Sequence, residues 1–162
     1  MVSHIETIYQ CLNRICEVVM SIRIPPNQIP IVWDAIKFAM VNADNIPEKD
    51  RQVYFNRTLQ SLLSSKAQCF VRRNEEKRLM ALLITRIVAD EVTGEKSLHV
   101  SSLYSFYPVS IEQWVEDFKP IIEYASKTKC NKITAYANNP KAIEIIEAVG
   151  MQERFRSFLM EV

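Results

Sequence analysis

Side chains able to move a proton gather on one short stretch of this chain. Between Ser97 and Tyr107 stand His99, Ser101, Ser102, Tyr104, Ser105 and Tyr107. Read as a strand, His99, Ser101, Ser105 and Tyr107 share one face, and Ser102, Tyr104 and Phe106 share the other. An imidazole or phenol projecting from such a strand can serve as a base or an acid. The plainer reading, which we favour, makes Tyr104, Phe106 and Tyr107 half-buried aromatics with hydroxyls at the sheet end, so no residue is assigned to catalysis. Asn138 and Asn139 form a second polar pair, and their simplest task is capping the helix that Pro140 enters. Arg72 and Arg73 alternate across a strand and so cannot face one partner; a solvated edge is expected for them. Arg154 and Arg156 are read as another small basic surface.

Other chemistries are set aside by composition. Cys11, Cys16, Cys69 and Cys130 form no C-x-x-C pair and match no zinc spacing. Without a signal peptide, they are expected to be free thiols in a reducing, cytoplasmic compartment. His4 and His99 are too far apart in sequence to suggest a metal site, and none is expected. Twenty Lys+Arg against nineteen Asp+Glu give a net charge of +1, which argues against nucleic acid or an anionic membrane as partner. No apolar run approaches the length a bilayer requires. Glycine is scarce: Gly94 and Gly150 are the two in 162 residues, against a typical share of roughly 7%. Walker loops and dinucleotide fingerprints need glycine where backbone meets phosphate, and both are excluded.

The elements that must position these residues follow from periodicity. Ile5 to Val19 carries a helical stripe, with Ser3 and Glu6 as a capping box. Pro25, Pro26 and Pro30 end it. A second helix carries Ile29, Trp33, Ile36 and Met40 and closes near Asp44; a third opens at Pro47-Glu48 and buries Phe55, Leu59, Leu62 and Leu63. From about Ala67 the pattern turns to strands: Cys69 to Val71, then Leu79 to Ala89 with both faces apolar, then Ser97 to Tyr107 after a turn at Gly94. Ser110 to Gln113 reads as a capping box opening a helix that Pro120 should kink or divide. Lys132 to Ala137 is a strand, Asn139-Pro140 starts a helix that Gly150 closes, and Glu153 to Val162 is a final strand. The chain is one domain, 1-162, with a helical portion over 1-66 and a β-β-β-α-β-α-β portion over 67-162. A crossover helix between strands implies a parallel pair within a mixed sheet.

The stretch Asn138-Asn139-Pro140-Lys141-Ala142-Ile143-Glu144-Ile145-Ile146-Glu147-Ala148-Val149-Gly150-Met151 resembles the closing motif of the GCN5-related N-acetyltransferase family, in which an Asn is followed by an Ala and a short helix ending in Gly and an aromatic. The order of elements from Cys69 onward is similar to that fold as well. The resemblance implies an α/β (α+β) mixed central sheet with helices on both faces, although the usual first strand is not evident. It implies that acetyl-CoA lies where Ser97–Tyr107 and Lys132–Ala137 splay apart, near Phe106. The pantetheine arm would bond to the first of these strands, and the pyrophosphate would rest on amides at the start of the crossover helix. If acetyl-CoA binds, the residues implied are Ser105, Phe106, Ser110, Ile111 and Asn138.

Two places depart from the family pattern. Its pyrophosphate loop carries glycines and an Arg or Gln, whereas this chain reads Tyr107-Pro108-Val109-Ser110-Ile111-Glu112-Gln113-Trp114. Cβ atoms at Val109 and Ile111 are expected to crowd the phosphate, and Glu112 to repel it. Ile146 stands where many members carry a tyrosine acid. The expectation is therefore a fold with a degenerate acetyl-CoA loop and no bound cofactor, used as a structural or binding module with a protein partner or a second copy. Small glycine-poor chains of this kind look similar to proteins of tailed bacteriophages, which implies a virion or the host cytoplasm. The alternative is an active N-acyltransferase that uses acetyl-CoA on a small-molecule or protein amine.

Overall fold

The structure is a computed structural model describing residues 21–154 and 158–162. The helix expected over Ile5 to Val19, with Ser3, Cys11 and Cys16, lies outside the described residues. Strand β1 (Ile22–Arg23) leads through a 3-10 turn into α1 (Ile29–Asp44), and a second 3-10 turn leads into α2 (Arg51–Leu63). Then come β2 (Ala67–Arg73), β3 (Leu79–Ala89), β4 (Lys96–Ser105), α3 (Ile111–Lys127), β5 (Lys132–Ala135) and α4 (Pro140–Ala148). The five strands lie in chain order in one sheet. β1 to β4 pair antiparallel, and β4 pairs β5 in parallel, as a crossover through α3 requires.

The sheet carries helices on both faces. On one, Ile36, Ala39 and Met40 of α1 and Leu62 of α2 meet Cys69, Val71, Leu82 and Ile84. On the other, Trp114, Phe118, Ile121 and Ala125 of α3 meet Phe70, Ala81, Leu83, Leu98 and Val100, with Ile145 of α4 completing the cluster. β3 contributes Leu82 and Ile84 to one core and Ala81 and Leu83 to the other, which is why its sequence shows no polar face. Each large side chain sealed this way contributes roughly 1.5–3 kcal/mol of transfer free energy. The glycines fall where the backbone needs them: Gly94 takes φ +71° in the β3–β4 turn, and Gly150 takes φ +93° closing α4.

Five expectations need correction. The first strand exists: Ile22 pairs Val71 and Arg23 pairs Phe70, in a run too short to show periodicity. Pro120 does not divide α3, which is continuous from Ile111 to Lys127. The carbonyl that Pro120 leaves unbonded belongs to the exposed Glu116, where water can satisfy it, while the buried stripe holds the helix to the sheet. Glu153 to Val162 forms no strand over its described residues; Phe158, Leu159 and Met160 are all exposed, without the alternation a half-buried strand needs.

Arg72 is not on a solvated edge. β2 lies between β1 and β3, and the Arg72 side chain is only 5% exposed, its Nη1 donating to Asp117 of α3 at 2.6 Å and to the Gln113 carbonyl at 3.3 Å. Finally, β4 does not keep simple alternation. Its register to β3 shifts so that Ile84 faces Ser102 while Thr85 faces Val100, leaving Ser101 as an extra residue. This bulge moves Ser102, Tyr104 and Phe106 to the same face as His99, the face of α1 and α2. No described helix is long and apolar enough to cross a membrane.

Candidate functional site

The parallel ladder between β4 and β5 runs from Ser97–Lys132 to Val100–Ala135 and stops there. β4 continues to Ser105 paired with β3 alone. Pairing of the two parallel strands therefore ends at the Ser101 bulge, which puts the start of any gap between them there rather than near Phe106. His99 marks the last closed part: its Nδ1 lies 3.0 Å from Thr134 Oγ1, and its ring is 4.9 Å from that of Tyr136, which is 86% exposed. Burial, then the Arg86 charge, holds the imidazole below its usual range, so it is neutral at neutral pH.

The residues expected at a cofactor are spread around this gap. Ser105 ends β4 opposite Ala81. Phe106 follows it, its amide donating to the Met80 carbonyl at 2.9 Å, and its ring stacks with Phe38 of α1 at 6.1 Å. Ser110 caps α3: its Oγ accepts from the Gln113 amide at 3.2 Å, and its own amide donates to Gln113 Oε1 at 3.0 Å. Ile111 opens α3 with its side chain partly buried against the α3-side core. Asn138 is exposed, and the capping is done by Asn139, whose Oδ1 accepts from the Ala142 amide at 2.8 Å. Ile146 is half-buried on α4.

Whether these residues suit acetyl-CoA divides by part of the molecule. The unpaired edge of β4 beyond Val100 offers backbone groups to an extended amide arm. The start of α3 offers less to a pyrophosphate. The capping box engages the Ser110 and Gln113 amides, leaving those of Ile111 and Glu112 outside it, and exposed Glu112 places a carboxylate in the first turn. Crowding by Cβ is not the obstacle expected, because Val109 is buried in the α3-side core and Ile111 leans on it. The edge of β4 thus offers more to the arm than the start of α3 offers to the phosphates.

One cluster at the gap escapes the sequence. Asp44, the last residue of α1, accepts from Tyr54 Oη at 3.0 Å and from Ser102 Oγ at 2.7 Å, both on Oδ2. Burial raises the Asp44 carboxyl, against the two hydroxyls and the Arg86 charge that lower it. Burial and the neighbouring carboxylate push Tyr54 up to about 12. Beside it, Phe38, Tyr104 and Phe106 form an aromatic group, with Tyr104 5.9 Å from Phe38 and 5.1 Å from Phe106, edge to face. One signal was available: an acidic residue at a helix C-terminus opposes the helix dipole, a mildly unfavourable placement that sets Asp44 apart. Among the described residues no three His, Cys, Asp or Glu side chains gather as a metal site.

No family model matches the sequence, and no curated protein matches it. Solved structures do match by shape. A predicted acetyltransferase with acetyl-CoA from Clostridium acetobutylicum superposes with a TM-score of 0.68 at 9% identity, over 88% of this chain and 96% of that one. An aminoglycoside acetyltransferase from an uncultured soil metagenomic sample, in complex with sisomicin, gives 0.64 at 12% identity, over 91% and 99%. An aminoglycoside N-acetyltransferase in complex with CoA gives 0.63 at 10% identity, over 89% and 94%. The chain has the GCN5-related N-acetyltransferase fold.

Proposed function

We propose that this chain is a module of the acetyltransferase fold that acts by binding, and that it lacks efficient acyl-CoA chemistry. The observation that supports this most directly is the Ser110–Gln113 capping box, which takes up two of the amides at the helix start that would receive a pyrophosphate. Glu112 beside it and Ile146 on α4 point the same way: one repels phosphate, the other has no proton to give. The resemblance to phage-borne chains suggests a component of a virion or of the host cytoplasm, held by a protein partner or by a second copy.

An N-acyltransferase using acetyl-CoA on a small-molecule or protein amine is the second reading, and the end of β4–β5 pairing after Val100 favours it. Calorimetric titration of acetyl-CoA into the purified protein separates the two. The binding-module reading expects no saturable heat and no rise in melting temperature at millimolar ligand. Saturable micromolar binding, with the melting temperature climbing as ligand is added, overturns it.

A further inference from the structure

We propose that this chain pairs with a second copy of itself, each laying its residues 158–162 antiparallel along the outer edge of the other's β5. The inference names the partner for the binding role proposed above and rests on that role.

The two ends of the sheet are guarded differently. At one, β1 is two residues long, too short to template a further strand. At the other, β5 pairs with β4 alone among the described residues, so the backbone groups along its outer side have no described ladder partner. β5 holds no proline and no bulge, and Lys132 is its one charge. An edge in that state accepts another strand through main-chain hydrogen bonds. The complement to it stands on the same molecule. Phe158, Leu159 and Met160 are 92%, 88% and 83% exposed, three apolar side chains in a row, with neither glycine nor proline through Val162. Within one chain the two do not meet, since residues 158–162 form no strand. A second copy supplies each with the other, and a two-fold exchange of tails covers both edges at once.

Charge and pleat agree on one register. With Glu161 opposite Lys132, antiparallel pairing sets Met160 against Ile133, Leu159 against Thr134 and Phe158 against Ala135. Ile133 and Ala135 already lie against the α3-side core, so Met160 and Phe158 extend that core. Leu159 then joins Thr134 and His99 on the other face. Lys132 has room for the new carboxylate, because its pair with Glu95 is loose, at 3.7 Å, and leaves its side chain 57% exposed. A parallel tail would carry Glu161 to the uncharged end of β5. A slip of one residue would turn Met160 and Phe158 away from the core.

The test is sedimentation equilibrium of the full chain without acetyl-CoA. Its failure is thus read apart from that of the binding-module reading, which the acetyl-CoA titration decides. A dimer is expected at about 50 μM protein. Met160→Asp, at a position exposed in the single chain, puts a charge against the extended core and should raise the dimer dissociation constant more than about tenfold. Glu161→Lys sets like charges opposite each other twice per dimer and should raise it by about tenfold. Adding Lys132→Glu to Glu161→Lys should restore most of that loss, which only this register allows. A monomer, a Met160→Asp or Glu161→Lys variant that dimerises as the wild type does, or a charge-swapped double variant as weak as Glu161→Lys would each overturn the proposal. A monomer whose β5 amides are protected from hydrogen exchange would mean that the tail closes on its own edge, and that too overturns the exchange.

Discussion

Two aspartates in this fold have the same problem and solve it differently. Asp117 lies on the buried face of α3, 1% exposed; Asp44 ends α1, half-buried beside β4. Burial raises the carboxyl of each. Asp117 is answered by a full opposite charge at 2.6 Å and by the Ser21 amide at 3.1 Å, which ties β2, α3 and the residue before β1 into one point. Asp44 is answered by two hydroxyls and keeps one oxygen open. Asp117 sits in a full ion pair, whereas Asp44 is held by two hydroxyls and feels the Arg86 charge only from a distance. The sealed site is not perfectly satisfied either, since Asp117 Oδ2, Ser21 Oγ and Trp114 Nε1 are buried without partners among the described residues. The arginine carries most of the compensation there.

The sharpest way to break the contrast is to remove one half of the sealed pair. Asp117→Ala leaves the Arg72 guanidinium buried and uncompensated, and should cost about 3–5 kcal/mol of stability by urea unfolding. Replacing both partners with apolar residues, Arg72→Met with Asp117→Leu, should recover most of that loss, because the desolvation penalty leaves with the charges. A double variant as unstable as the single one would mean that the pair is not a charge problem at all. Between sealed and open lies the start of α3. Ser110→Ala removes an exposed cap and should cost about 1 kcal/mol, well short of the buried pair. A loss near that of Asp117→Ala would place the cap among the sealed contacts.

Much of this fold is written locally. The Ser110–Gln113 box, the Asn139-Pro140 helix start, the Gly94 turn and the Gly150 closure are each encoded within a few residues, and each is where the spacing put it. What escaped depends on partners far along the chain. Arg72 looks like an edge residue until Asp117, forty-five positions later, lies against it. β1 is two residues long and has no period to show. The Ser101 bulge hides because Ser101 and Ser102 give alternation nothing to register, and with it goes the face assignment of His99. The candidate site was missed for the same reason: Asp44, Tyr54 and Ser102 lie on three elements, and only the poor fit of an aspartate to a helix C-terminus hinted at them.

The smallest predicted effect tests the open half of the comparison. A carboxyl raised by folding binds its proton more tightly in the native state than in the unfolded one. Its contribution to stability is therefore full below the unfolded value and is lost as pH rises through the folded one. Asp44→Asn removes that titration but keeps an acceptor for Tyr54 and Ser102. Asp117, also raised, and His99, lowered, remain in both proteins and cancel when the two are compared. The melting temperature of the wild type minus that of Asp44→Asn should thus be larger near pH 4.5 than at pH 7, by a few degrees at most. A difference that shrinks on acidification would mean that the hydroxyls and Arg86 outweigh burial. Asp44 would then be compensated within the fold, as Asp117 is by Arg72.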